Sequence, residues 1–366
     1  MGKLKIGFIG GGINSAVGHT HRIAAELDGR WQLTAGCFSK DAKINADTAA
    51  LWNVDMVYSN WQDLLAKEKG KLDAVAILTP TNVHYEMVKH ALKAGHNVIC
   101  EKTLTNTWEE AQDLEKVVDE TGKFLTVINN YTGYPMLREL KHLVAQGSLG
   151  SIQHIEAEMP QEGFIRLLDG GKRPQPQAWR LQDGPVPTIY LDLGIHLYHI
   201  IDFVCGVQHV KTMSALQGTG GFFKEIVDNV SSVIRFDNGV SAQLWFSKLA
   251  LGYRNGLRIR VFGDEASAEW HQMDAEFIKV CNKKGKVSLI DRASPDMQVA
   301  TQPRYNRFKS GHPAGFIEAF ANYYYDMADG LETFRKTGNF DTKWILSVNQ
   351  AASGMHFLHQ MAQVAI

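Results

Sequence analysis

With 366 residues, 45% hydrophobic and 21% charged, the chain has material for two globular domains with ample core. Thirty-eight basic against 39 acidic residues leave a net charge of −1, which removes any general electrostatic case for nucleic acid or an anionic membrane as partner. No apolar run approaches the ~20 residues of a membrane helix, and the N-terminal run is too short for a signal peptide. The four cysteines, Cys37, Cys100, Cys205 and Cys281, form no CxxC pair, so buried thiols in a cytoplasmic protein are expected, with neither metal site nor disulfide.

The first segment, Lys3 to Arg22 (KLKIGFIGGGINSAVGHTHR), runs from an apolar strand into a glycine turn and then a helix. Those are the parts of a dinucleotide-binding βα unit, in which glycine lets the backbone approach a pyrophosphate and the helix N–H groups complement its charge. Against GxGxxG, Gly10 and Gly12 fit, with Ile13 and Asn14 following and Ser15 in the third place; Gly18 suggests a longer turn. A second strand, Trp31 to Ser39, ends where a carboxylate usually meets the adenosine ribose. Ser39 and Lys40 stand there, with Asp41 beyond. Either Lys40 pairs with the 2′-phosphate of NADP, or Ser39 bonds the ribose of NAD.

Helices are expected at Asp41 to Trp52 and Trp61 to Glu68. A buried strand, Leu72 to Leu78, follows and opens into the loop Thr79-Pro80-Thr81-Asn82. The helix His84 to Ala94 stops at Gly95, and the strand Asn97 to Cys100 delivers Glu101, Lys102 and Thr103 to the same edge. Helix Trp108 to Thr121 and strand Phe124 to Ile128 complete a βα alternation that favours a doubly wound parallel sheet. After a helix from Pro135 to Gln146, alternating strand-like runs dominate: Ile152–Met159, His209–Leu216, Asn229–Phe236, Val240–Lys248, Leu257–Phe262, Ala266–His271 and Glu276–Cys281. They predict a large, mostly antiparallel open sheet, with Asp237-Asn238-Gly239 as a hairpin turn. The Pro- and Gly-rich stretch from Pro160 to Pro187 is a long loop of the functional kind. Asn282 to Gln302 is a polar stretch, and helices Pro313 to Thr337 and Asp341 to Ala365 close the chain. The domains expected are 1–131 and 132–366, the C-terminal helices packing either in the second or back on the first.

In YLDLGIHLYHIIDFVCG, Asp192 and His196 are spaced i, i+4 on one helix, with His199 extending the face. The pair is either a helix-stabilising contact or part of a site. Together, GFIGGGINS, ILTPTNVHYEMVKHALKAGHNVICEKTLT and DLGIH resemble the glucose–fructose oxidoreductase/inositol dehydrogenase (Gfo/Idh/MocA) family of sugar oxidoreductases, over nearly the whole chain. The resemblance implies an N-terminal Rossmann domain binding NAD or NADP, and a C-terminal domain for substrate and oligomerisation as a homodimer or homotetramer. It implies that Lys102 is the lysine of the family's EKP motif, that Asp192 and His196 are its Asp and His, and that Thr79, Pro80, Asn82 and His84 line the cofactor. Glu101 joins the cofactor-binding set. Two departures stand out: Thr103 replaces the usual proline, and Thr81 replaces the usual asparagine.

The implied reaction moves a hydride between nicotinamide and a secondary hydroxyl of a sugar, sugar acid or nucleotide-sugar. His196 would act as base, Asp192 would orient it or accept a substrate hydroxyl, and Lys102 would stabilise developing alkoxide charge. Tyr131, Trp179, Arg180 and His199 are candidates for the substrate wall, as are Asn130, Tyr134, Arg304, Tyr305 and Arg307. Lys172 and Arg173 would add positive charge for an anionic sugar. The resemblance also leaves open an NAD-dependent glycosidase or lyase, and a non-catalytic sugar sensor.

Overall fold

The computed structural model describes residues 2–206, 209–341 and 343–366. Two compact units make up the chain: Met1–Gly133 with Phe316–Met355, and Tyr134–Gly315 with His356–Ile366. Among the described residues no helix is long and apolar enough to cross a membrane.

In the first unit strands and helices alternate: β1 (Leu4–Gly10), α1 (Gly18–Leu27), β2 (Trp31–Cys37), α2 (Ala42–Trp52), β3 (Met56–Val57), α3 (Trp61–Lys67), β4 (Ala74–Leu78), α4 (His84–Lys93), β5 (Val98–Cys100), α5 (Trp108–Thr121) and β6 (Leu125–Val127). Side-chain caps start three of the helices: Asp41 accepts from the Ile44 amide, Asn60 from Asp63 and Thr107 from Glu110. The six strands are parallel in the order β6-β5-β4-β1-β2-β3. Strand order reverses between β1 and β4, which makes their carboxyl ends the switch point where open α/β sheets take ligands.

The second unit holds α6 (Pro135–Ala145), β7 (Ile152–Pro160), α7 (Ile195–Cys205), β8 (Val210–Gly218), β9 (Asn229–Phe236), β10 (Ser241–Ser247), β11 (Arg258–Gly263), β12 (Ala266–His271), β13 (Ile278–Asn282) and β14 (Val287–Ile290). Its eight-stranded sheet has the order β14-β13-β12-β11-β7-β10-β9-β8, antiparallel except for the β7–β10 pair. One face is core, with Val230, Ile234, Leu244 and Ile259 buried. The other carries the ion pairs Arg258–Glu158 and Arg260–Glu156. Asp237-Asn238-Gly239 forms the expected β9–β10 turn, with Gly239 at φ +87°. Strand β14 lies inside Asn282 to Gln302, the polar stretch expected to follow the last strand. It is an exposed edge strand preceded by lysines, and edge strands of that kind carry little apolar signal.

The chain then returns to the first unit through α8 (Phe316–Thr337), β15 (Leu346–Ser347) and the start of α9 (Val348–Val364). This takes one of the two placements expected for the C-terminal helices and corrects the start of the last one. The segment 316–355 belongs with the first unit, because Phe320, Tyr323, Tyr324, Met327 and Leu331 share one core with Phe8, Trp31 and Phe124. The last helix begins at Val348, not Asp341, since Leu346 and Ser347 pair antiparallel with Val127 and Thr126 at the sheet edge; Thr342 lies outside the described residues. Cys37 and Cys100 are buried, whereas Cys205 and Cys281 are only half-buried; all four thiols are free.

Candidate functional site

The turn after β1 has the shape a dinucleotide requires. Gly10 and Gly11 sit at φ +80° and +71°, backbone that L side chains rarely adopt. A Cβ on Gly12 would come within 3.0 Å of the Phe38 carbonyl. A Cβ on Gly18 would lie 1.9 Å from the Gly11 carbonyl oxygen, so Gly18 seats the start of α1 against the turn. The close-packing glycine is therefore Gly18. Ser15 instead braces the turn, its hydroxyl accepting from the amides of Val17 (3.4 Å) and Gly18 (3.2 Å). Ile13 and Asn14 are exposed on the turn. The Ile13 amide donates to Thr48 Oγ1 at 3.2 Å.

At the end of β2, Asn45 Oδ1 accepts from the amides of Phe38 (2.7 Å) and Ser39 (3.4 Å), fixing the chain where a ribose would meet it. Asp41, the nearest carboxylate, caps α2, and its own amide donates to Ser39 Oγ at 3.1 Å. Lys40 is exposed and Ser39 half-buried.

Beyond β4, Thr79 is half-buried and Pro80 and Asn82 are exposed around a short 3-10 turn. His84 is enclosed. Its Nε2 lies 2.7 Å from the Thr79 carbonyl and its Nδ1 2.8 Å from the Thr103 carbonyl, and burial pushes its pKa down. The ring thus ties the Thr79 and Thr103 loops together. Past β5, Glu101 Oε2 accepts from the Lys102 amide at 3.0 Å; Lys102 is half-buried, and the Lys102–Thr103 peptide is cis. The carboxyl edge of the parallel sheet thereby carries the glycine turn, the Thr79 loop and Lys102 together.

In the second unit, Asp192 does not sit on a continuous α-helix. Tyr190–Gly194 is one π-helical turn that runs into α7, a departure from regular helix that recurs at functional sites. The buried Asp192 carboxylate pairs through Oδ2 with Arg180 and, at 3.0 Å, with Lys248 Nζ. Lys248 donates in turn to Gln161 Oε1 at 2.6 Å. Lys248 and Gln161 each stand one residue beyond the paired ends of β10 and β7, Ser247 and Pro160. Neither stands out in the sequence. A lysine directly after a buried strand, as Lys102 is, was the available signal for Lys248.

His196 is buried on α7. His199 is buried on the same helix, where burial pushes its pKa down to about 3 and Nδ1 has no hydrogen-bond partner among the described residues. Trp179 lies under Arg180, with the guanidinium 4.4 Å from the ring. Asn130 and Tyr131 are buried in a 3-10 turn of the first unit. Two other wall candidates are packing residues of the second unit: Tyr134 accepts from Gln272 at 3.0 Å and Tyr305 from Arg138 at 2.6 Å. Arg304 covers the Tyr305 ring, and Arg173 that of Phe222. Among the described residues no group of His, Cys, Asp and Glu could hold a metal ion.

Residues 4–129 match the oxidoreductase family with an NAD-binding Rossmann fold, and residues 137–269 match the GFO/IDH/MocA C-terminal domain. The chain is 31% identical over 338 residues to the uncharacterized oxidoreductase YfiI of Bacillus subtilis, covering 90% of this chain and 86% of that protein. To the levoglucosan dehydrogenase of Pseudarthrobacter phenanthrenivorans it is 24% identical over 296 residues, 73% of each. Among solved structures, an inositol dehydrogenase homolog from Azotobacter vinelandii complexed with NADH and myo-inositol shares the fold. Its TM-score is 0.88 at 24% identity, over 99% of this chain and 95% of that one.

Proposed function

We propose, since this chain belongs to the GFO/IDH/MocA family of oxidoreductases with an NAD-binding Rossmann fold, that it moves a hydride between nicotinamide and a secondary hydroxyl of a sugar, cyclic polyol or sugar acid. The observation that carries this is Lys102, which leaves β5 on the sheet edge that also bears the Gly10–Gly12 turn. The bound nicotinamide supplies the hydride acceptor or donor. The open glycine turn and the first amides of α1 hold the pyrophosphate. Lys102 donates to the reacting oxygen and offsets charge developing there. His196 takes the hydroxyl proton. Asp192, paired with Lys248 and Arg180, accepts a substrate hydroxyl.

Two further assignments go with this reading. Ser39 and Lys40 face the adenosine ribose and decide between NAD and NADP. Leu216, Val233 and Phe262, exposed on the open face of the eight-stranded sheet, support homo-oligomerisation there; sedimentation showing only monomer at micromolar concentration counts against that. The activity is tested by following nicotinamide absorbance with NAD and NADP against a panel that includes myo-inositol and levoglucosan. The expected outcome is turnover of at least one, lost by several orders of magnitude in Lys102→Met with NADH binding kept. Full turnover in Lys102→Met defeats the assignment.

A further inference from the structure

His21, on the first turn of α1, has no solvent exposure, yet it carries two polar ring atoms. Its Nδ1 lies 3.0 Å from the hydroxyl of Tyr324 on α8, and its Nε2 lies 3.1 Å from Glu101 Oε1. That approach to Glu101 is an ion-pair distance and not an aligned hydrogen bond, and Nε2 has no hydrogen-bond partner among the described residues. The Phe320 ring closes the pocket edge-on at 4.9 Å from the imidazole. Tyr324 is itself buried, and burial together with the Glu101 charge holds its pKa well above the ordinary value. Its hydroxyl therefore keeps its proton and can donate to Nδ1, which leaves the imidazole proton on Nε2, the ring nitrogen nearer Glu101. The far oxygen of that carboxylate accepts from the Lys102 amide at 3.0 Å.

We propose that Tyr324 and His21 are positioning residues that fix the Glu101 carboxylate and, through it, the point from which the Lys102 side chain leaves the strand. The relay rests on the reading of Lys102 given above. A carboxylate with 12% side-chain exposure and no such donor would swing toward water and release the lysine amide.

Amide hydrogen exchange in the cofactor-free protein reads this directly. In His21→Leu, exchange at Lys102 should accelerate at least about tenfold while the sheet amide of Val98 holds. His21→Gln, which keeps a donor near the place of Nε2, should restore most of the protection. With the best panel sugar, kcat should fall by a similar factor in His21→Leu while NADH affinity stays within about threefold. Should His21→Leu not fold, imidazole nitrogen shifts decide: the wild type should show the Nε2–H tautomer and Tyr324→Phe should lose it. Unchanged exchange at Lys102, equal damage from Leu and Gln, or an Nδ1–H tautomer in the wild type each overturns the relay. Lys102→Met keeps the two readings apart. Turnover surviving in it defeats the role of the lysine, whereas turnover lost in it but kept in His21→Leu defeats the relay alone.

Discussion

Lys248 and Asp192 form a buried ion pair, Nζ to Oδ2 at 3.0 Å, and Arg180 reaches the same carboxylate oxygen from the long loop that precedes it. Two cations on one carboxylate make its charge a structural necessity. Asp192→Asn should therefore cost about 3 kcal/mol in urea unfolding, because it removes the carboxylate charge that the buried Lys248 pairs with. Lys248→Met should cost less, since Arg180 still pairs with Asp192, and the double variant should cost less than the sum. Additive losses would show that the lysine and the aspartate act independently.

Gly18→Ala should lower NADH affinity more than about tenfold and destabilise the protein by about 2 kcal/mol, because the added carbon collides with backbone at Gly11 and not with a side chain that could move. Gly163→Ala is the matched control, with nothing near its Cβ direction and no positive φ. Fluorescence titration of NADH and a thermal melt distinguish the two. Equal behaviour would mean that α1 can retreat without disturbing the turn.

Ser39→Asp should weaken NADP at least about tenfold more than NAD, since the new carboxylate repels a 2′-phosphate and accepts from the ribose hydroxyls of NAD. Asp41 Oδ1 is engaged as the cap of α2, accepting from the Ile44 amide. Equal losses for both cofactors would place the ribose-reading residue elsewhere.

Acid should destabilise the second unit through His199. The folded state keeps this imidazole neutral down to about 3, while the unfolded chain takes up the proton below its ordinary 6.5. Its contribution to stability is therefore full above 6.5 and declines as pH falls, by up to about 1.4 kcal/mol per pH unit. His199→Leu should remove that decline, so its urea stability relative to wild type should rise between about pH 7 and pH 5.5. Parallel curves for the two proteins would put His199 in water.

The parallel sheet was legible because each of its longer strands is a short apolar run and several helices begin on an Asp, Asn or Thr cap. Lys102 was legible as a lysine delivered by a buried strand. The π-turn was not, because YLDLG reads the same in an α or a π register, and only packing chooses. Lys248 sits in sequence like Lys102 but follows a strand of the antiparallel pattern, which gave no reason to weigh its carboxyl end. His21 lay inside the glycine motif yet looked like one helix residue among others. Its partners come from positions 101 and 324, and sequence distance of that size leaves no local trace.

The return of 316–355 to the first unit sets an order of events on the ribosome. Phe8, Trp31 and Phe124 are made early, but the residues that cover them, Phe320 to Leu331, are made only after the whole second sheet. Its eight strands are therefore made while the N-terminal sheet still waits with an apolar face uncovered. A chain stopped at Gly315 should accordingly aggregate unless a chaperone holds it, and adding the missing segment 316–366 as a separate peptide should restore solubility. For this protein, helices made late decide the fate of strands made early.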